Sequence, residues 1–460
     1  MKKFFLSLLV SGMILPVFAE GYQVNVLSTK QTGMGHVGTG MKLGAESMHF
    51  NPAGLVFMDN AFDFSAGVSA VMANAKYTKG DYSEKTDNPL SSPVYVYAGF
   101  RIYDNFAAGI AFTTPYGSSL KWPKDWKGAN LIQDISLRSY VIQPTFSYKI
   151  CDRLSIGAGL DLAIGKVELS RALFSPAEFQ LLGTGLEMNP NIPEAVKGPI
   201  VNTIREIDGA VPVAATLNGK AKIRAGFNVG IMFDASEKVT LGLSYRSRIK
   251  MKVKSGEAEL NYASWKIEQL FAQLSQLSPD IAVPPLNEGT FKAELPLPSN
   301  TTLGVSYRPS KRWEVALDLQ YVGWQAYDSL NVQFTQNVLN GYSIKAEKNY
   351  KNTIIARIGG RFSATERLDV RAGIYFDQSP IRSDNYNPET PGMNKMGFSG
   401  GLTFEPVENF QIDFAFLYIQ GFCRNGSYNF TNVVTKQTEV FSGRYHSNAY
   451  TASLGLAYKF

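Results

Sequence analysis

Few residues of this chain are suited to chemistry. There are three histidines, His36, His49 and His446, and two cysteines, Cys151 and Cys423. A serine hydrolase needs a base beside its nucleophile. None of the three histidines has an evident nucleophile partner, and no G-x-S-x-G elbow occurs. No His/Cys/Asp/Glu group has metal-ligand spacing, so no catalytic set, metal or cofactor is expected. The conspicuous feature is a ladder of cations: Arg246, Arg248, Lys250, Lys252 and Lys254 alternate with Tyr245, Ser247, Ile249, Met251 and Val253. On a strand such cations share one face. They could hold a carboxylate through charge-assisted hydrogen bonds, which makes Arg246, Arg248 and Lys250 candidate head-group contacts.

The element carrying this ladder belongs to a long series of strands. Near the end, Asn448, Tyr450, Ala452, Leu454, Leu456, Tyr458 and Phe460 alternate with small or polar residues, and the chain stops on Phe460. A period-2 stretch of that length matches a membrane-spanning β-strand. From Ala61 onward, tight turns recur at 103–105, 151–153, 236–238, 310–312, 365–367 and 407–409. Longer polar, Pro/Gly-rich connections lie at 74–93, 118–136, 171–220, 261–290, 336–350, 380–394 and 423–446. Six short turns and seven long loops give fourteen strands, the short/long asymmetry of an outer-membrane barrel. The expected fold is an all-β, transmembrane antiparallel β-barrel of about fourteen strands occupying 61–460. A soluble β-sandwich would bury the apolar face; strand length and the terminal Phe favour the barrel.

The other end agrees. Lys2 and Lys3 precede an apolar run from Phe4 to Phe18, and Val17-Phe18-Ala19 is a small-residue cleavage site. Residues 1–19 therefore read as a secretory signal peptide. No later run is long and apolar enough for a transmembrane helix. The net charge of +6 is spread along the chain, with no dense basic block suited to nucleic acid. Outward basic groups could instead meet anionic phosphates of outer-membrane lipid and lipopolysaccharide, or be ordinary solvated charge.

In such a barrel the apolar set faces lipid and the alternate set lines the lumen. The ladder would then line the upper lumen. The alternatives are a lumen charge network with Asp161, Asp234 or Asp318, or a ladder extending above the membrane, and a one-residue slip inverts the picture. Cys151 falls in a periplasmic turn and Cys423 in an outer loop, at opposite ends of a wall roughly 25 Å tall, so they cannot pair.

Residues 20–60 do not read as strand. They carry Gly33, Gly35, Gly38, Gly40 and Gly44 and then Asn51-Pro52-Ala53-Gly54. A fourteen-stranded lumen is too wide for its wall side chains to fill. The low charge of this segment, with Met34, Val37, Met48, Phe50, Leu55 and Phe57, suits a plug, or hatch, inside the barrel better than a free periplasmic tail.

The run GMGHVGTG…AESMHFNPAGL over 33–55 resembles the hatch of the FadL/TodX family of outer-membrane long-chain fatty acid and hydrocarbon transporters. TTPYG (113–117), LPLPSNTTLGVSYRPSKRWEVALDLQYVGW (295–324), AGIYFDQSPI (372–381) and GLAYKF (455–460) are similar to that family as well. One departure is Asn394-Lys395, where the family pattern has an Asp-Arg pair. The resemblance implies a monomeric barrel in a Gram-negative outer membrane, with Asn51, Pro52, Ala53 and Gly54 as the hatch motif. It implies capture of a hydrophobic ligand among outer loops, passage to an interior pocket reached by Gly21-Tyr22-Gln23, and sideways release near the third strand, Phe106–Thr114.

Two outer loops bear on the ligand directly. Ala177–Leu186 and Ser264–Leu277 have helical apolar spacing, with Phe179, Leu182, Trp265, Leu270 and Phe271 among the apolar residues. An apolar patch at the mouth of a membrane protein suits hydrophobic capture, whereas the same helices could simply pack on each other as a lid. Together these readings lead to a passive transporter of hydrophobic small molecules. Long-chain fatty acids come first as cargo, with aromatic hydrocarbons or other lipids as the alternative. A general porin and an outer-membrane lipid hydrolase rank below, because the hatch closes the channel and the histidines lack nucleophiles.

Overall fold

The computed structural model describes residues 22–460 apart from 208, 278–286, 336–342 and 432–436. The signal peptide expected at 1–19 lies outside the described residues. The wall consists of β1 (Phe62–Lys79), β2 (Val94–Tyr103), β3 (Phe106–Thr113), β4 (Asp134–Cys151), β5 (Leu154–Ala172), β6 (Val213–Asp234) and β7 (Val239–Arg246). It continues with β8 (Asn300–Ser310), β9 (Trp313–Val322), β10 (Thr353–Thr365), β11 (Leu368–Asp377), β12 (Lys395–Val407), β13 (Phe410–Gly421) and β14 (Thr438–Lys459). Each pairs antiparallel with the next. β14 closes on β1 from Asp63↔Lys459 to Thr78↔Arg444, which completes a fourteen-stranded barrel.

All six expected tight turns connect consecutive strands. The burial pattern is that of a wall with lipid outside. Ile156, Leu160, Leu243, Leu317, Phe414 and Leu454 are exposed, while Ser155, Asp161, Ser244, Thr403 and Ser453 are buried. Cys151 and Cys423 are free and exposed.

The lumen is filled by the chain before β1. Short helical turns at Thr29–Thr32, Ser47–Phe50 and Pro52–Phe57 carry buried Met48 and Leu55, and the chain around them buries Leu27, Met34 and Val37. This hatch comes so close to the wall that the wall gives up side chains. A Cβ on Gly157 would overlap the Pro52 carbonyl carbon, one on Gly242 the Thr39 oxygen, and one on Gly359 the Met34 oxygen. Asn51, fully buried, donates through Nδ2 to Thr39 O (2.9 Å) and Ile231 O (3.0 Å) and caps the next turn by accepting from Ala53 N (3.2 Å). Asp318 on β9 accepts from Gly38 N (2.9 Å) and Thr39 N (3.0 Å).

The cation ladder is corrected. Strand β7 stops at Arg246, and the chain resumes as Ile249–Tyr262 after a break at Ser247–Arg248. Ser247 Oγ takes the Phe227 N–H at 2.9 Å, so a side chain stands in the backbone ladder. Beyond the break the faces are exchanged: Ile249, Met251 and Val253 are buried, while Arg248, Lys250 and Lys254 are exposed. Of Arg246, Arg248 and Lys250, only Arg246 faces the lumen. Lys250 and Lys252 share Glu294 on the outside, Lys250 at 2.7 Å.

Gly157→Leu should leave the barrel closed but push the hatch off β5, at a cost of about 1–3 kcal/mol for overpacking against backbone. Limited proteolysis of the folded, heat-modifiable protein should show new cleavage within 30–58; unchanged protection would contradict the close approach.

Candidate ligand site

Two cavities lie along the barrel axis. The outer one, about 930 Å³, is lined largely by apolar side chains, including Leu137, Leu217, Met251, Phe291 and Leu297. The exchange of faces after Ser247 is what brings Met251 and Val253 into it. Its floor is Tyr22, whose hydroxyl donates to Pro296 O. The Tyr22 ring meets Trp324 edge-on at 5.0 Å and Tyr327 at 5.9 Å. On one side Glu389 and Thr390 reach the cavity. Glu389 Oε2 accepts from buried Lys348 Nζ at 2.9 Å, and Tyr350 Oη lies 2.9 Å from Thr390 Oγ1. Burial is the largest single influence on Lys348 and opposes its charge, yet the Glu389 carboxylate together with Tyr350 and Tyr428 outweighs it and holds the ammonium pKa above the ordinary lysine value.

The inner chamber, about 610 Å³, is polar and includes Asp318, Gln320, Arg246 and Arg357 beside the hatch residues Gln23, His36 and His49. Arg246 Nη1 lies 2.7 Å from both carboxylate oxygens of Asp161, and its Nη2 donates to His49 O at 3.1 Å. It ties the hatch to β5 as part of a lumen charge network. Tyr22 lines the outer cavity, whereas Gln23, Val24 and Asn25 line the chamber below. The first described residues thus form the partition between the two.

The partition is joined to a defect in the wall. Strand β3 ends at Thr113, and Gly117–Lys121 resumes its path after Thr114-Pro115-Tyr116. Pro115 has no N–H to give a ladder. Towards β2 the last contact is Val94 N to Thr114 Oγ1 (3.1 Å), and the next is Asp87 N to Lys121 O (2.8 Å). Between them Pro115 O accepts from Val24 N (2.8 Å), and Gly117 N donates to Tyr22 O (2.9 Å). The wall segment pairs inward with the N-terminal segment instead of sideways with β2.

The outer helices lie elsewhere. Pro176–Glu187, Glu194–Glu206 and Trp265–Leu277 pack together through Phe179, Leu186, Ile204, Leu270 and Phe271, with Leu182 at the edge of the cluster. Trp265 is 66% exposed. Of the residues expected at the ligand, the structure brings Tyr22 to the outer cavity; Phe179, Leu182, Leu270 and Phe271 pack on one another in the helix cluster and do not line it. The Glu194–Glu206 helix escaped the sequence reading, as did the Lys348–Glu389 pair. Ser175-Pro176-Ala177-Glu178 was a usable signal for the first lid helix, since its capping box forms: Ser175 Oγ accepts from Glu178 N at 3.2 Å. No comparable local signal exists for Lys348 and Glu389, which are 41 residues apart.

Glu389→Gln should loosen this side of the cavity, because an unpaired buried ammonium costs about 3–5 kcal/mol. Amide hydrogen exchange over 380–394 should accelerate markedly, and unchanged protection would remove the pair from that role.

The arrangement is one of passage and enclosure: an apolar chamber, a partition and an interrupted wall. The sequence profile described as Outer membrane protein transport protein (OMPP1/FadL/TodX) matches residues 10–460. The chain is 22% identical to the long-chain fatty acid transport protein of Salmonella typhi, over 90% of this chain and 91% of that protein. The fold superposes on a Pseudomonas aeruginosa FadL homologue with a TM-score of 0.77 at 19% identity, covering 96% of this chain and all of the other. For the Pseudomonas putida toluene transporter TodX the TM-score is 0.66 at 18% identity, covering 94% and 98%. This chain belongs to the OMPP1/FadL/TodX family of outer-membrane transport proteins of Gram-negative bacteria.

Proposed function

We propose that this protein carries long-chain fatty acids passively across the outer membrane. The observation that carries the reading is the apolar cavity of about 930 Å³, floored by a segment whose backbone is bonded to the interrupted wall. Its lining is predominantly apolar, which suits an acyl chain as well as a single aromatic ring. The named cargo of the Salmonella relative supports the fatty acid. In this reading the ligand enters beneath the lid helices and settles in the cavity with its chain against Leu217, Met251 and Leu297. Displacement of Tyr22–Val24 then frees Pro115 and Gly117, and the ligand leaves sideways between β2 and β3. A state with the partition displaced is populated only if the ligand binds it better than the closed state. Phe179, Leu182, Trp265, Leu270 and Phe271 serve at the outer mouth, and Arg246 holds the hatch.

Uptake of labelled oleate by cells lacking their own fatty acid transporter should depend on this protein. Val253→Trp, which fills the cavity, should reduce that uptake severalfold; oleate uptake indifferent to Val253→Trp would sink the cavity route. Protein-dependent uptake of toluene without uptake of oleate would assign the cargo to aromatic hydrocarbons.

Asn51→Ala should impair transport without unfolding the barrel. It leaves the Thr39 and Ile231 carbonyls short of a partner, a cost of about 1–3 kcal/mol borne by the hatch. Normal uptake by a heat-modifiable Asn51→Ala protein would exclude the hatch from the transport step.

A further inference from the structure

An exposed row of cations crosses the outside of the barrel beyond the apolar band. Arg138 on β4 stands opposite Lys166 on β5, and Lys166 stands opposite Lys220 on β6. In Ile249–Tyr262, Val253 pairs with Ala221, and the register then shifts before Glu257↔Asn218, so Lys254 and Lys220 follow that pair at a bulge. Val253 also pairs with Ala293 of Gly289–Leu297, and the same bulge separates that pair from Gly256↔Phe291, so Lys292 follows it on the neighbouring strand. All five cations are exposed. Their strand neighbours Ser139, Gly165, Ala221, Val253 and Ala293 line the outer cavity, which puts Lys220, Lys254 and Lys292 on the outer face, while Arg138 and Lys166, though exposed, also border the cavity at its edge.

Four of the five cations have no acidic partner among the described residues. Like charges directly opposite on neighbouring strands destabilise a sheet. Lys166 pairs with Glu168. Arg138, Lys220, Lys254 and Lys292 make no ion pair among the described residues, and exposed Lys222 adds a further charge on β6. The nearby Glu294 is occupied by Lys250 and Lys252.

The position identifies what it faces. On the side towards the short turns, the outer face becomes apolar within a few residues: Ile142 is 43% exposed, Ile164 41% and Ile223 66%. The cations therefore lie at the rim of the lipid-facing band on the side of the long outer loops, where outer-leaflet head groups sit. Four strand intervals of about 4.8 Å make the row about 19 Å long, enough to span more than one phosphate of a single large glycolipid.

We propose that this row is a docking surface for the phosphates of lipopolysaccharide in the outer leaflet. Charge-assisted contacts from guanidinium and ammonium groups would satisfy cations that the fold leaves without acids. The proposal rests on the outer-membrane placement and is independent of the cargo.

The test uses the full-length purified protein in detergent, titrated with bisphosphorylated lipid A and with enzymatically dephosphorylated lipid A, and read by native mass spectrometry. Wild type should bind the phosphorylated form more tightly, and added salt should weaken it. Lys220→Ala/Lys254→Ala should weaken that binding about thirtyfold, from about a kcal/mol per surface cation. Lys311→Ala/Arg312→Ala, at a short turn on the opposite rim, should bind as wild type does. Folding of each variant is checked by heat-modifiable migration. Equal affinity for the two lipids, equal binding by the Lys220/Lys254 variant, or an equal loss in the Lys311/Arg312 variant would overturn the proposal.

Discussion

The constraint behind this structure is that hydrocarbon offers no partner for a backbone N–H or C=O. The sheet must therefore have no edge, and the chain closes it with its own ends: Phe62 N donates to Phe460 O at 2.7 Å, and Phe460 N returns to Phe62 O at 2.8 Å. Closure at fourteen strands leaves a lumen that wall side chains alone do not fill. The hatch occupies it, and the wall makes room by placing glycine where hatch backbone arrives, as at Gly157, Gly242 and Gly359. Hatch peptide groups without helical or strand partners are met by the wall, notably Gly38 N and Thr39 N by Asp318. Close packing and polar satisfaction thus act at the same contacts.

At Pro115 the wall is interrupted beside the two cavities and sealed from inside. Pro115 interrupts β3, and the ladder towards β2 is lost until Lys121. The orphaned groups are satisfied from inside, by Val24 N and Tyr22 O. Two neutral hydrogen bonds contribute a net of about 1 kcal/mol each, and the Tyr22 hydroxyl bond to Pro296 O and its ring contacts with Trp324 and Tyr327 add to what holds the segment in place. The same two bonds hold the floor of the outer cavity and the inner side of the wall gap. Displacement of one element therefore loosens the other without a separate coupling device.

Strand number, the six tight turns, the lumen-filling segment and the outward apolar face were legible because each depends on local patterning: period-2 alternation, polar turn residues and glycine spacing. The contacts that build the site were not. Arg246 meets Asp161 across 85 residues, and Lys348 meets Glu389 across 41. Only closure of the barrel makes those pairs neighbours. The lid residues were assigned to helices correctly, with Phe179, Leu270 and Phe271 on apolar stripes, yet a stripe cannot reveal whether it meets a ligand or another stripe. Here they meet each other and the stripe of Ile200, Val201 and Ile204.

The cation ladder shows why alternation alone misleads at a membrane boundary. The sequence keeps its polar/apolar period from Leu241 to Val253, so a single continuous strand would keep its cations on one side. The surroundings do not stay the same along that length. Within the bilayer the outside is hydrocarbon and the lumen is polar, so Leu241, Leu243 and Tyr245 point out and Arg246 points in. Above it the outside is aqueous and the interior is the apolar cavity, so the same alternation is stable only with its faces exchanged. Ser247 and Arg248 perform the exchange. Both strands advance seven residues between Arg246↔Asn228 and Val253↔Ala221, so the ladder resumes in step while the side chains change sides. One local break therefore makes two surfaces at once: Met251 and Val253 for the cavity, and exposed Lys250 and Lys254 on the outside.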